Sequence, residues 1–183
     1  GSFGFQPGRA PEVPTVIFIG QPNSGKSTLF NSIAGPKAET SNFPGTSIKH
    51  THSRVNIEGR LLDIVDLPGT YSLCTADPAE QVVLTHLFSE RPDLIVNVVD
   101  ASTLSRGLEL TLELVELGYP TVVALNMVDV AERKGIELDA AKAERLLGLP
   151  VVPTIAAHGR GGRACAPSCW QPRPVASPGS PTG

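Results

Sequence analysis

No apolar run in this chain approaches the roughly 20 residues that a membrane-spanning helix needs, so none is expected within it. The opening stretch holds Pro7, Pro11 and Pro14 and no apolar core segment, so it does not read as a secretory signal. Cysteine is scarce. Cys74, Cys165 and Cys169 are an odd count without disulfide-framework spacing, which fits a reducing cytosol. Cys165 and Cys169, with Trp170 beside them, are two thiols and make no closed zinc site. Charge of either sign is low: 18% of residues are charged and the net charge is −3, so no nucleic-acid partner is expected. No internal repeat is visible. The 183 residues are enough for one domain with a full core.

What the chain does have is a phosphate-binding signature. Gly20-Gln21-Pro22-Asn23-Ser24-Gly25-Lys26-Ser27-Thr28 fits G-x-x-x-x-G-K-[ST]. The two glycines let the backbone wrap closely round a polyphosphate with successive N–H groups pointing inward. Lys26 brings a positive charge to the terminal phosphates, and the Ser27 hydroxyl is a ligand for Mg2+. The context agrees, because the apolar run 15–19 reads as a buried strand and residues 26–34 as a helix whose positive end faces the anion.

Two later motifs narrow the ligand. Residues 61–65 read as a strand that ends in Asp66-Leu67-Pro68-Gly69; Asp66 there holds Mg2+ through water, and the Gly69 N–H reaches a γ-phosphate. Residues 119–125 read as another buried strand, ending in Asn126-Met127-Val128-Asp129. A carboxylate there accepts from guanine N1–H and its 2-amino group; adenine lacks both donors, so Asp129 selects against ATP. Either short motif alone would be an ordinary strand-end turn. All three in order, each at the carboxyl end of an apolar run, specify a guanine-nucleotide site.

The rest alternates strand and helix. Residues 35–46 read as a loop, and 50–57 with 61–65 as a hairpin around Glu58-Gly59-Arg60. Asp77-Pro78 opens a helix to about Ser89; 93–99 is a buried strand, 105–117 a helix stopped by Gly118, 139–147 a helix capped by Asp139, and 150–155 the last strand. The expected fold is α/β, a phosphate-loop NTPase with a doubly wound, mostly parallel sheet, one antiparallel edge hairpin and helices on both faces. The expected division is a flexible segment 1–13, a GTPase domain 14–158 and a disordered tail 159–183. That tail holds five Gly, five Pro and three Arg and no acidic residue. No helix is expected after the last strand, so that edge of the sheet should be weakly covered.

Taken together, Gly20-Gln-Pro-Asn-Ser-Gly-Lys-Ser-Thr-Leu-Phe-Asn31, Asn42-Phe-Pro-Gly-Thr-Ser-Ile48, Asp66-Leu-Pro-Gly-Thr-Tyr-Ser-Leu73, Asn97-Val-Val-Asp-Ala101 and Val123-Ala-Leu-Asn-Met-Val-Asp129 resemble the amino-terminal GTPase domain of the ferrous-iron transporter FeoB family. The likeness covers about residues 14–161. It implies a G domain on the cytosolic face of the inner membrane that regulates Fe2+ uptake through a transmembrane iron-permease domain outside this chain. A homo-oligomer stays open. It further implies that Asn23 helps ligate K+, an ion that substitutes for an arginine finger. Ser47 aligns with the switch threonine that ligates Mg2+ in the GTP state, a departure that keeps the hydroxyl, with Thr46 as the fallback; Gly45-Thr46-Ser47 is the first switch. Asp66 to Gly69 is the second. Asn126, Met127 and Asp129 read the base, and Ala156-Ala157 stand where a hydroxyl-bearing loop usually backs it.

The implied chemistry is slow, K+-stimulated hydrolysis of GTP to GDP and phosphate, with Lys26, Asn23, Ser47 and Gly69 at the reacting end. It is slow because Thr70 follows Asp-x-x-Gly, where other GTPases place a water-orienting Gln. Two other readings remain: a free-standing ribosome- or tRNA-associated GTPase, and a nucleotide-binding module that does not hydrolyse. His50 and His52 share a strand face and read as solvated rather than metal-binding. Cys74 reads as a small packed side chain and His158 as a solvated loop residue.

Overall fold

The computed structural model of the chain describes residues 13–43, 45–89 and 92–155. The segment 1–12, Ala156, Ala157, His158 and the whole 159–183 tail, with Cys165, Cys169 and Trp170, lie outside them.

Among the described residues, seven strands form one sheet: β1 (Thr15–Gly20), β2 (Glu39–Asn42), β3 (Lys49–Ile57), β4 (Arg60–Asp66), β5 (Leu94–Asp100), β6 (Thr121–Asn126) and β7 (Val151–Pro153), in the order β2-β3-β4-β1-β5-β6-β7. β4, β1, β5, β6 and β7 run parallel, while β3 is antiparallel to β4 and β2 to β3. The parallel strands are apolar throughout because both their faces are covered. β1 lies in the middle: Val16 and Phe18 face one layer, Ile17 and Ile19 the other. The hairpin turns at Glu58-Gly59, both with positive φ (51° and 83°). That twist matches its strands.

Among the described residues, five helices cover the sheet: α1 (Lys26–Ala34), α2 (Pro78–Ser89), α3 (Leu104–Glu116), α4 (Val128–Arg133) and α5 (Ala140–Leu147). Leu29 and Phe30 of α1 pack with Val16, Phe18, Val96 and Val98 on one face. On the other face α2 brings Val83 against Ile17 and Leu67, and α3 brings Leu110 and Leu114 against Ile19 and Ile95. α3 rides very close to the sheet at Gly107, where a Cβ would collide with Val99. Buried Asn97 reinforces that contact, donating to the Thr111 Oγ1 at 2.7 Å. The Asp77 side chain accepts from the Ala79 N–H at 2.8 Å and Asp139 from the Lys142 N–H at 2.9 Å, the expected caps of α2 and α5.

Four expectations change. The 35–46 stretch is not all loop, because residues 39–42 pair with β3 in the register Glu39↔His52, Ser41↔His50. β2 has no apolar residue and is exposed throughout, so it carries no hydrophobic pattern to read. α4 was not expected either. His50 and His52 share a face but are half-buried rather than solvated: Phe43 packs on the His50 ring at 4.2 Å between centroids, and His50 on His52 at 5.5 Å. Cys74 is exposed rather than packed. At the far edge Val152 and Ile155 are half-buried, while Val122 and Ala124 one strand in are fully buried. Among the described residues, no helix is long and apolar enough to cross a membrane.

Candidate functional site

The carboxyl ends of β1, β4, β5 and β6 meet at one edge, and the three motifs leave the sheet there. The loop after β1 turns through two left-handed residues, Asn23 (φ 64°) and Gly25 (φ 80°). The Ser24 N–H donates to the Gln21 carbonyl at 3.3 Å, and the Leu29 N–H to the Gly25 carbonyl at 3.0 Å, which starts α1. Gly20 has no room for a side chain, since a Cβ would stand 2.6 Å from the Val98 carbonyl oxygen. Residues 21–28 and Gly69 line a cavity of about 230 Å³. In its wall lie two glycines, a lysine and three hydroxyl side chains, a donor-rich cradle of the kind that holds phosphates.

Lys26 is buried beside this cavity and paired with the Asp66 carboxylate at the end of β4. The Ser27 hydroxyl donates to the other Asp66 oxygen at 3.1 Å. A hydroxyl and a carboxylate this close are hard oxygen donors and fit Mg2+. Leu67 is buried, its N–H on the Phe18 carbonyl at 3.2 Å. Pro68 is exposed, and Gly69 returns to the phosphate loop. Thr70 then donates its N–H to the Gly20 carbonyl at 2.9 Å.

The segment that the sequence suggests as the first switch folds on itself. The Thr46 hydroxyl donates to the Phe43 carbonyl at 3.0 Å and accepts from the Ile48 N–H at 3.2 Å; Gly45 turns the chain at φ 75°. Ser47 is exposed and lines a second cavity, of about 360 Å³, with Leu67, Pro68, Gly69, Glu80 and Val83. Ser47 and the phosphate loop therefore border adjoining cavities that share Gly69 as a wall.

The base-side motif is built around Asn126. Its side chain is 1% exposed and faces inward: Nδ2 donates to the Ser24 carbonyl at 2.9 Å and Oδ1 accepts from the Thr154 hydroxyl at 3.0 Å. Met127 takes a left-handed conformation (φ 60°), and Asp129 follows in the first turn of α4, its carboxylate 3.5 Å from the Arg133 guanidinium. Sequence reasoning missed Thr154, a hydroxyl just after β7 with no motif around it, and Glu113 of α3. Both oxygens of Glu113 accept hydrogen bonds from the segment after the second switch.

The profile described as "Ferrous iron transport protein B" matches residues 14–166. The Fe(2+) transporter FeoB of Salmonella typhimurium is 43% identical over 151 residues, 80% of this chain and 20% of the relative. The chain thus spans about a fifth of that relative's length. A crystallised S. thermophilus NFeoB mutant bound to GDP is 39% identical with a TM-score of 0.80, over 86% of this chain and 60% of that one. The G domain of the T. maritima FeoB iron transporter is 31% identical with a TM-score of 0.75, over 82% of this chain and 92% of that one. With its phosphate loop, switch segments and base-side motif on one sheet edge, this chain belongs to the ferrous iron transport protein B family, as an amino-terminal G domain.

Proposed function

We propose that the chain binds GTP and GDP, hydrolyses GTP slowly, and thereby regulates ferrous iron uptake through the membrane domain of a longer protein, on the cytosolic face of the membrane. The observation that carries this reading is the Asn126 brace. One side chain ties the phosphate loop at Ser24 to the strand end that presents Asp129, so phosphate and base subsites keep a fixed spacing. We further propose residues 14–158 as the functional unit, a span the family profile overlaps.

Lys26 now neutralises Asp66. On nucleotide binding Lys26 turns to the β- and γ-phosphates and frees Asp66; Ser27, and Asp66 through water, would then hold Mg2+. Ser47 comes over from the adjoining cavity as the switch ligand. Mg2+ held by these groups would neutralise charge on the phosphates, and the exposed Asn23 carboxamide would hold K+, which would supply what an arginine finger does elsewhere. Lys26 and the loop N–H groups stabilise the oxyanions. A water oxygen bonds to the γ-phosphorus, the bond to the β–γ bridging oxygen breaks, and the water's proton leaves with phosphate. Thr70 has no side-chain amide with which to orient that water. The same feature favours the alternative of a binding module without hydrolysis.

Fluorescent-nucleotide titrations should show guanine over adenine nucleotides, with phosphate release faster in K+ than in Na+. Tight binding with no release in either salt supports the binding-module reading, and no preference for guanine defeats both.

A further inference from the structure

α3 ends against its own electrostatics. Its last turn has no basic residue but carries Glu113 and Glu116. The carbonyl end of a helix is its negative pole and disfavours a carboxylate. Glu116 is exposed, but Glu113 is half-buried with both oxygens engaged. The Ser72 hydroxyl donates to its Oε1 at 2.6 Å, and the Leu73 backbone N–H to its Oε2 at 2.7 Å. The Cys74 N–H donates to the Ser72 Oγ at 3.0 Å and tightens the same turn. The Leu73 side chain packs on the cluster of Ile19, Ile95, Leu110 and Leu114. The carboxylate is thus held by donors of a loop, forty residues distant in sequence, and not by anything on its own helix.

That loop is the continuation of the second switch. The Thr70 hydroxyl donates to the Ser72 carbonyl at 2.9 Å, and the Thr70 N–H to Gly20 in the phosphate loop. A chain of hydrogen bonds therefore runs from the phosphate loop through Thr70 and Ser72 to α3. We infer that Glu113 is a positioning residue for the nucleotide response: it fixes the far end of the second switch at Ser72 and Leu73. The stretch left to answer a γ-phosphate is then only residues 68–71. The inference rests on the GTPase reading above. Without the clasp, the free stretch runs on to Thr75, which Glu80 and Gln81 of α2 hold, and ordering a longer loop round a γ-phosphate costs more conformational entropy. GDP has no γ-phosphate, so its affinity is indifferent to the clasp.

The test compares GDP with a non-hydrolysable GTP analogue on the unmutated chain, Glu113→Gln and Ser72→Ala, with phosphate release and amide exchange measured alongside. Glu113→Gln keeps the shape but turns an acceptor into a donor. It should weaken the analogue and lower kcat about tenfold, the worth of one charge-assisted hydrogen bond, leave GDP within about twofold, and speed exchange of the Leu73 amide. Ser72→Ala should shift the same ratio in the same direction by less. If Glu113→Gln does not fold, Ser72→Ala decides the ratio alone. Equal losses for GDP and analogue, or an unchanged ratio in a folded variant, overturn the assignment. If the unmutated chain binds neither nucleotide, the GTPase reading falls instead, and Leu73 exchange still decides whether Glu113 holds the loop.

Discussion

Gly69 lies so close to Pro22 that a methyl group on it would stand 2.9 Å from both the Pro22 nitrogen and its Cα. The neighbouring atoms are backbone of the phosphate loop and cannot rotate away. The second switch and the phosphate loop thus touch with no side chain between them. Gly69→Ala should separate them, at about 1–3 kcal/mol of overpacking. It should weaken a GTP analogue far more than GDP. Parallel titrations of the two nucleotides read this out, and equal affinities to the unmutated chain for both would contradict it.

Asp129 stands in the first turn of α4 with one modest partner, Arg133 at 3.5 Å. If it reads guanine, Asp129→Asn strands two donors on the base, each unsatisfied group costing about 1–3 kcal/mol. GTP should weaken by at least tenfold and xanthosine nucleotides should gain, because their 2-oxo group accepts from the new amide. A competition titration of GTP against XTP measures the swap; unchanged GTP affinity would remove Asp129 from the base site.

Asn23 is exposed at the mouth of the phosphate-loop cavity with φ 64°. Asparagine tolerates that conformation, so the residue would be explained by the turn alone. The potassium assignment asks more of it. Asn23→Ala should abolish the advantage of K+ over Na+ in phosphate release at equal ionic strength, while GDP binding persists. Equal rates in the two salts for the unmutated chain would leave Asn23 a turn residue.

Asn126 is predicted to matter for stability before it matters for specificity. Asn126→Ala removes the partner of the Thr154 hydroxyl and of the Ser24 carbonyl, both inside the protein. The loss should be about 2 kcal/mol or more, several degrees in Tm, in the absence of any nucleotide. Thr154→Ala should reproduce part of that loss without touching the motif. A thermal melt of the two variants separates a brace from a base reader, since a residue acting only on the base would leave the free protein's Tm alone.

The strands were legible where apolar runs end in Gly, Pro or a motif, as at β1 and β6, because a strand buried on both faces can carry little else. β2 was not, since Glu39-Thr-Ser-Asn42 is polar throughout and is a strand only because β3 offers it hydrogen bonds. Motif spacing located Lys26, Ser27 and Asp66, which the fold brings into contact. It could not show that the Asn126 amide points inward, because the partners lie 102 and 28 residues away. Nor could it distinguish Glu113 from the other acids on α3. On a helical period all of them look solvated, and only the loop folded above one of them makes it different.

The contact of Gly107 with Val99 bears on how the switch transmits force. With no side chain at Gly107, and with Asn97 hydrogen-bonded to Thr111, α3 has no slack against β5. A pull arriving at Ser72 through Glu113 meets a stiff mount rather than a rocking helix. The compliance of the second switch then resides in its few loop residues. A bulkier residue at 107 that propped α3 off the sheet would soften the mount and blur the signal, even though it touches neither nucleotide nor switch.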